Sequence, residues 1–385
     1  LYHLFRQVKH IFDPHNLFNP GIIVDAGSLT ESMRALPQST GLSLTHFEDY
    51  DIDEIRVVSH EAPIKPPSQG FVRAIEMCNG AGVCRRLNTG TMCPSFMVTQ
   101  EEEHSTRGRA NALRAAMSGT LPETELTSPR MAQVMDLCIS CKAFKSECPS
   151  AVDMARLKTE FQARYYATHG VPLRARFFGH AAALNRLGSG AAAPVVNGLL
   201  GSAMGRRIAT RVLGLAAERP LPAVARVPFG AWWARRSPDS AAVGEEVALL
   251  IDPFTNYNHP EVGIAAALFL ERVGVRVVAA PALDDGRAFI SKGLIAPGRR
   301  AAERAVAALM PLVERGLTVV GLEPSSVLTL RDEYFHLMPG DPRVSALAES
   351  ALTFEEYIDG LAGRFDLLPF FEDSPKRVLL HGHCH

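Results

Sequence analysis

The chain of 385 residues carries 40 Lys and Arg against 41 Asp and Glu, a formal net charge of −1, so bulk electrostatics point neither to nucleic acid nor to an anionic membrane. A hydrophobic share of 47% with 21% charged residues excludes global disorder, and the length predicts two or three domains. No apolar run is long enough to cross a membrane: the nearest, around residues 191–204, is interrupted by Pro194 and Asn197. Nor does the opening Leu1-Tyr2-His3-Leu4-Phe5-Arg6 have the basic-then-apolar order of a secretory signal, so a cytoplasmic chain is expected. Both ends read as cut, because the chain starts at Leu1 and stops at His381-Gly382-His383-Cys384-His385 directly after a strand-like run.

In chain order, residues 1–24 predict a short helix followed by a double turn from Phe12-Asp13-Pro14 to Asn19-Pro20-Gly21. Residues 25–70 read as a linker. Residues 71–165 read as a helical domain interrupted by cysteine motifs, with helices at 107–117 and 131–137. Residues 166–243 predict a helical connector ending near Trp232-Trp233. In residues 244–385 apolar runs at 247–251, 275–279, 317–320 and 377–380 predict strands, and stretches at 262–273 and 301–313 predict helices. That alternation argues for an α/β domain with a parallel sheet covered on both faces.

Six of the seven cysteines fall into two groups. Cys78 and Cys84 enclose Ala81 and are followed by Cys93-Pro94; Cys138, Cys141 and Cys148-Pro149 form the second run. The bacterial ferredoxin motif spaces its ligands C-x2-C-x2-C-x3-C-P, and in two-cluster proteins the Cys before Pro serves the other cluster. Two Cys-Pro dipeptides in matching places therefore point to iron–sulfur clusters. Crossing them assigns Cys78, Cys84 and Cys148 to one metal site, and Cys138, Cys141 and Cys93 to the other. Phe144 stands where a third Cys of the second run belongs, leaving three thiolates per site. That count suits a [3Fe-4S] cluster, or a [4Fe-4S] cluster with one non-cysteine ligand. Gly80 and Gly82 let the backbone fold round sulfur and donate N–H groups to it. A four-cysteine zinc site and a set of inert buried thiols are the bland alternatives.

These motifs, with Met92–Phe96, His104–Asn111 and Ser146–Ser150, resemble the fused FAD-linked oxidase/iron–sulfur oxidoreductases, a family that includes D-2-hydroxyglutarate and D-lactate dehydrogenases. The resemblance covers essentially the whole chain. It implies a multi-domain fold: the tail of an FAD-linked oxidase domain over 1–24, an α-helical two-cluster ferredoxin domain, a helical connector and a cysteine-rich-type α/β domain of the heterodisulfide-reductase kind. It implies FAD, held mainly outside this chain with Asn19 and Pro20 near it. It also implies electron transfer from a D-2-hydroxy acid through the clusters to a quinone, cytochrome or electron-transfer protein. The chain departs from the family at Phe144. It departs again where Asp284-Asp285-Gly286 and Glu323-Pro324-Ser325-Ser326 replace the expected cysteine motifs, so no third cluster is expected.

Other residues have weaker readings. Loops after the predicted strands would gather Asp252, Asn256, Arg287, Lys292, Glu323, Arg331, His381, His383, Cys384 and His385 at one sheet edge, either as an acceptor-side crevice or as ordinary caps and turns. His381, His383 and His385 form a third, metal-binding option. Arg107 and Arg109 are placed in the cluster environment or as loop caps. Trp232-Trp233 reads as helix packing. Arg174, Arg176, Arg206 and Arg207 read as solvated helix faces, with peripheral contact to anionic lipid at the inner membrane face as the alternative. Two further functional readings stay open: a stand-alone iron–sulfur subunit of a glycolate or glycerol-3-phosphate oxidase-type complex, and a zinc-stapled interaction module.

Overall fold

The computed structural model describes residues 1–28, 70–118, 120–216, 218–236, 244–364, 366–371, 377 and 379. Most of the predicted linker (29–69), the predicted strand at 377–380 apart from two residues, and His381–His385 lie outside the described residues. The first helix, Tyr2–Phe12, buries none of its side chains. Asp13 then receives the N–H groups of Leu17 and Phe18, each at 2.8 Å, which closes the expected turn. Asn16 and Asn19 supply its left-handed residues, at φ 49° and 45°, a conformation that Asn tolerates better than most side chains.

The cysteine-bearing region is built from capped helices. Thr106–Met117 begins at Ser105, whose hydroxyl accepts the Gly108 N–H at 2.9 Å. Gly108 is needed there because a Cβ would lie 1.9 Å from the Glu102 carbonyl oxygen. Ser128 caps Pro129–Asp136 and Asp153 caps Met154–His169 in the same way. With the helix Gly70–Glu76, these elements bury Phe71, Ile75, Leu113, Met135, Leu157 and Phe161 together.

The connector follows as Leu173–Gly179, Ala181–Gly188, Ala193–Gly201, Ala203–Leu213 and Phe229–Trp233. The tryptophan pair packs as expected. Both rings lie against Phe229, with centroids 5.5 and 5.7 Å away, and Arg236 stacks over both.

The last region holds a parallel sheet of β1 (Glu246–Leu250), β2 (Arg276–Ala279), β3 (Thr318–Gly321) and β4 (Ala351–Thr353), in the order β2-β1-β3-β4. The first three match the predicted runs within a residue or two. β4 was not predicted, since three residues are too short for any periodicity to register. Alternate residues of β1 serve opposite faces. Val247 and Leu249 meet Ala267 and Leu270 of Pro260–Arg272 and Leu361 of Phe354–Ala362. Ala248 and Leu250 join Ala305 and Leu309 of Ile295–Val313 and Leu347 of Pro342–Ser350. That second core is continuous with Leu157 and Phe161 of the cysteine-bearing region, so sheet and cysteine helices share one buried surface.

One buried acid bears on stability. Asp285 follows β2, accepts the Arg287 N–H at 2.8 Å through Oδ1 and has an Oδ2 without a hydrogen-bond partner. Burial pushes its carboxyl up to about 6, against the opposing effect of Ser326 and the Arg287 N–H. In the unfolded chain the same carboxyl titrates near 4, so stability from its neutral form is complete below about pH 4 and lost as pH rises through about 6. Asp285→Asn should therefore raise the thermal midpoint by several °C at about pH 7.5 and change it little near pH 4. Unfolding scans at the two pH values check this, and an equal shift at both would refute it.

Candidate metal centre

The cysteine loops depend on residues in left-handed backbone conformations. Gly80 and Gly82 (φ 80° and 76°) lie between Cys78 and Cys84, Cys93 itself has φ 55°, and Ser140 and Lys142 (φ 56° and 54°) flank Cys141. Such residues turn successive N–H groups inward, making concavities suited to anionic sulfur. The Gly80 N–H reaches Cys78, the Arg107 N–H donates to Cys84 Sγ at 3.4 Å, and the Thr106 N–H donates to Cys93 Sγ at 3.2 Å. The Thr106 hydroxyl lies 3.1 Å from the same sulfur.

The thiols feel one another. A hydrogen bond from Cys93 lowers the Cys84 thiol to about 6 against the effect of burial, with help from the Arg107 N–H. The same bond, with burial, raises Cys93. Burial raises Cys78, whose electrostatic neighbours include Cys84 and Cys148. Cys93, Cys138 and Cys141 line one cavity, with Phe144 in its wall. Phe144 is buried with Cys84 and Cys93 and packs against Cys141 and Cys148, so an apolar ring adjoins members of both groups. Among the described residues, no three His, Cys, Asp or Glu side chains are gathered as for a single metal ion. Thiols spread round a cavity, with backbone N–H groups aimed at sulfur, are a donor set that fits polynuclear iron–sulfur clusters.

The two arginines singled out from sequence differ in role. Arg107 holds Glu102 through Nε (2.8 Å) and Nη2 (3.1 Å) and reaches the Gly80 carbonyl through Nη1 (3.4 Å), so it braces the first cysteine loop. Arg109 is almost fully buried and donates to Val134 O, His104 O and Ser95 Oγ at 3.0, 2.7 and 3.1 Å, tying the segment after Cys93 to the helix before Cys138.

Sequence reasoning missed several supports. Arg114 donates to the carbonyl of Cys78 at 2.9 Å and pairs with Glu76. Lys158 donates to the carbonyl of Cys138, and Glu147 accepts the N–H groups of Thr91 and Met92. Lys142, beside Cys141, is buried against Asp332 and Glu333. Burial acts to lower this ammonium, but the two carboxylates more than offset it and leave it raised. The one sequence signal available was the presence of cations inside otherwise apolar segments.

The residues assigned to a sheet-edge crevice do not all meet. Asp252 caps Pro253–Tyr257, and Asn256 accepts the Gly230 N–H at 3.0 Å. Glu323 caps Pro324–Arg331, and Arg331 pairs with Glu356 at 2.7 Å. Asp252 lies within electrostatic reach of Glu323 and Asp285. Arg287 turns instead to a small enclosed cavity that it lines with Ser140, Lys142 and Glu333, and Lys292 lies over Phe178. Asn19 and Pro20 lie exposed on the N-terminal turn. His381, His383, Cys384 and His385 lie outside the described residues.

Residues 74–152 match the family model of the 4Fe-4S dicluster domain. Almost the whole chain is also similar to curated D-2-hydroxyglutarate dehydrogenases. That of Escherichia coli (strain K12) is 24% identical over 423 residues, 98% of this chain and 39% of the relative. That of Pseudomonas putida is 26% identical over 399 residues, 89% of this chain and 37% of the relative. Together these similarities support a member of the FAD- and iron–sulfur-dependent oxidoreductases. The chain spans less than two-fifths of the length of these relatives. No solved structure matches the chain.

Arg109 provides a test of how the centre is held. Arg109→Met strips three acceptors of their donor inside a buried site, which should cost about 3–5 kcal/mol. Chemical denaturation should show that loss, whereas a change below about 1 kcal/mol would mean the arginine is dispensable.

Proposed function

We propose that this chain is the electron-relay part of a flavin- and iron–sulfur-dependent dehydrogenase acting on a D-2-hydroxy acid, with D-2-hydroxyglutarate the leading candidate. The observation that carries the reading is the grouping of the thiols: Cys148 acts on Cys78 together with Cys84, while Cys93 lines a cavity with Cys138 and Cys141. The cavity shared by Cys93, Cys138 and Cys141 supports crossed ligation, and the hydrogen bond between Cys84 and Cys93 brings the two groups side by side. On this reading Cys78, Cys84 and Cys148 hold one cluster and Cys93, Cys138 and Cys141 the other. Bound there, the clusters supply one-electron transfer between a flavin and an acceptor.

The chain's own residues set the conditions for that transfer. Arg107 and Thr106 direct N–H groups at sulfur, stabilising negative charge on the thiolates. Phe144 and the apolar residues buried with it form an apolar lining beside members of both groups. The helix Tyr2–Phe12 fits the role of a piece of the flavin domain, since Leu4, Phe5, Val8 and Phe12 are exposed on it and call for a partner surface. We place the relay in residues 71–165, the connector in 166–243 and the acceptor-facing α/β part in 244–385, with Arg287 and Glu323 as candidate acceptor-side residues. No helix among the described residues is long and apolar enough to cross a membrane.

Anaerobic reconstitution with iron and sulfide should give a visible chromophore and metal for two clusters. Cys93→Ser and Cys148→Ser should each remove about half of the iron, from different sites distinguishable by EPR. Zinc bound without a chromophore would overturn the relay reading. Phe144→Cys should change the EPR signature of the second site only, through a new fourth thiolate.

A further inference from the structure

The connector carries a surface that neither the core nor ion pairing explains. From residue 165 to residue 217 the sequence has six arginines (Arg174, Arg176, Arg186, Arg206, Arg207 and Arg211) and no Asp, Glu or Lys. In a chain of formal net charge −1, that is a strong local excess of one sign. None of the six forms an ion pair among the described residues. Arg206 donates to the carbonyl of Gly201 at 2.9 Å.

Beside these charges lie large apolar side chains open to solvent. Val195 and Leu199, one turn apart on Ala193–Gly201, are 75% and 58% exposed. Met204, Ile208 and Val212 recur at successive turns of Ala203–Leu213, each more than half exposed, while Gly205 and Leu213 are buried. Side chains four apart share a helix face, so these three form a stripe. Arg207 and Arg211, three residues beyond Met204 and Ile208, run along its border. The two helices pack against each other, and at 9 and 11 residues each is too short to span a bilayer.

We infer that these two helices lie in the plane of an anionic lipid surface, with Val195, Leu199 and the Met204–Ile208–Val212 stripe in the acyl boundary and Arg207 and Arg211 at the phosphates. An apolar stripe flanked along one side by cations, on a stretch without acidic residues, is the pattern of an interfacial helix, in which long Arg side chains reach the headgroups from beside the buried face. A second copy of the chain is a poor occupant, since it would bring the same positive charge to the contact. Nucleic acid would leave the apolar stripe uncovered. The inference stands independently of the redox reading and would bring the relay close to acceptors confined to a membrane.

Co-sedimentation of the full chain with vesicles tests it. Binding should be at least about fivefold greater to phosphatidylcholine containing roughly a third phosphatidylglycerol than to phosphatidylcholine alone, and about 0.5 M NaCl should abolish the difference. Leu199→Glu with Ile208→Glu should cut binding about tenfold and leave the thermal midpoint unchanged, as both side chains are exposed. Absence of binding, equal binding to both vesicles, or an unaffected double variant would overturn the inference. So would sedimentation equilibrium showing that the double variant splits a dimer, which would assign the face to a second copy. Iron content measured on the same samples keeps this outcome separate from that of the relay reading.

Discussion

A buried ammonium at Lys142 joins the two halves of this molecule. Its neighbour Cys141 lies on the second cysteine loop, and its partners Asp332 and Glu333 precede and begin a short helix of the α/β region. Removing one member of such a group leaves an uncompensated charge away from water, so the loop and the sheet region are held in one relative position. Around it, Lys145 adds a second cation to Asp332. The Arg156 guanidinium, which can only donate, lies 3.2 Å from His336 Nε2 and so requires an acceptor nitrogen there. Burial, then Arg156, lower His336 to about 3, consistent with a neutral ring. The cysteine loop therefore docks through a polar network as well as through the apolar core that runs from Phe161 to Leu347.

That docking bears on electron transfer because distance and orientation are what a protein contributes to a relay. Arg109, Arg114 and Lys158 each bind backbone carbonyls near a cysteine. Buried cations that tie down main chain hold loop geometry more firmly than surface pairs do, since losing one strands several acceptors without water. Arg114 also acts electrostatically to favour charge on Cys78, so position and electrostatics come there from one side chain.

At the sheet edge, buried carboxylates replace the cysteine motifs that the resemblance led one to expect. Asp252 and Glu323 cap helices, and Asp285 rests in an apolar setting beneath Tyr334, whose hydroxyl donates to the Asp285 carbonyl at 2.8 Å. The arrangement is a set of helix starts at the carboxyl ends of parallel strands, a place where open sheets commonly receive ligands. In this chain the caps occupy most of the polar groups there, and Arg287 is drawn away toward Glu333 and the second cysteine loop.

The helices at 107–117 and 131–137, the strands β1 to β3 and the N-terminal turn were legible in the amino-acid sequence because they rest on local signals: helical spacing, continuous apolar runs and Asn-Pro-Gly. The cysteine motifs were legible for the same reason, since close spacing on a loop is a property of the chain itself. Which thiols face each other, by contrast, was decided by tertiary structure. Cys84 meets Cys93, and Cys148 reaches Cys78, only because separate helices pack on one core. The short strand β4, the buried partners of Lys142 and the diversion of Arg287 are likewise products of long-range packing, invisible in any local window. So is the exposure of the connector's apolar stripe: periodicity shows that Met204, Ile208 and Val212 share a face, but only the folded chain shows that the core leaves that face uncovered.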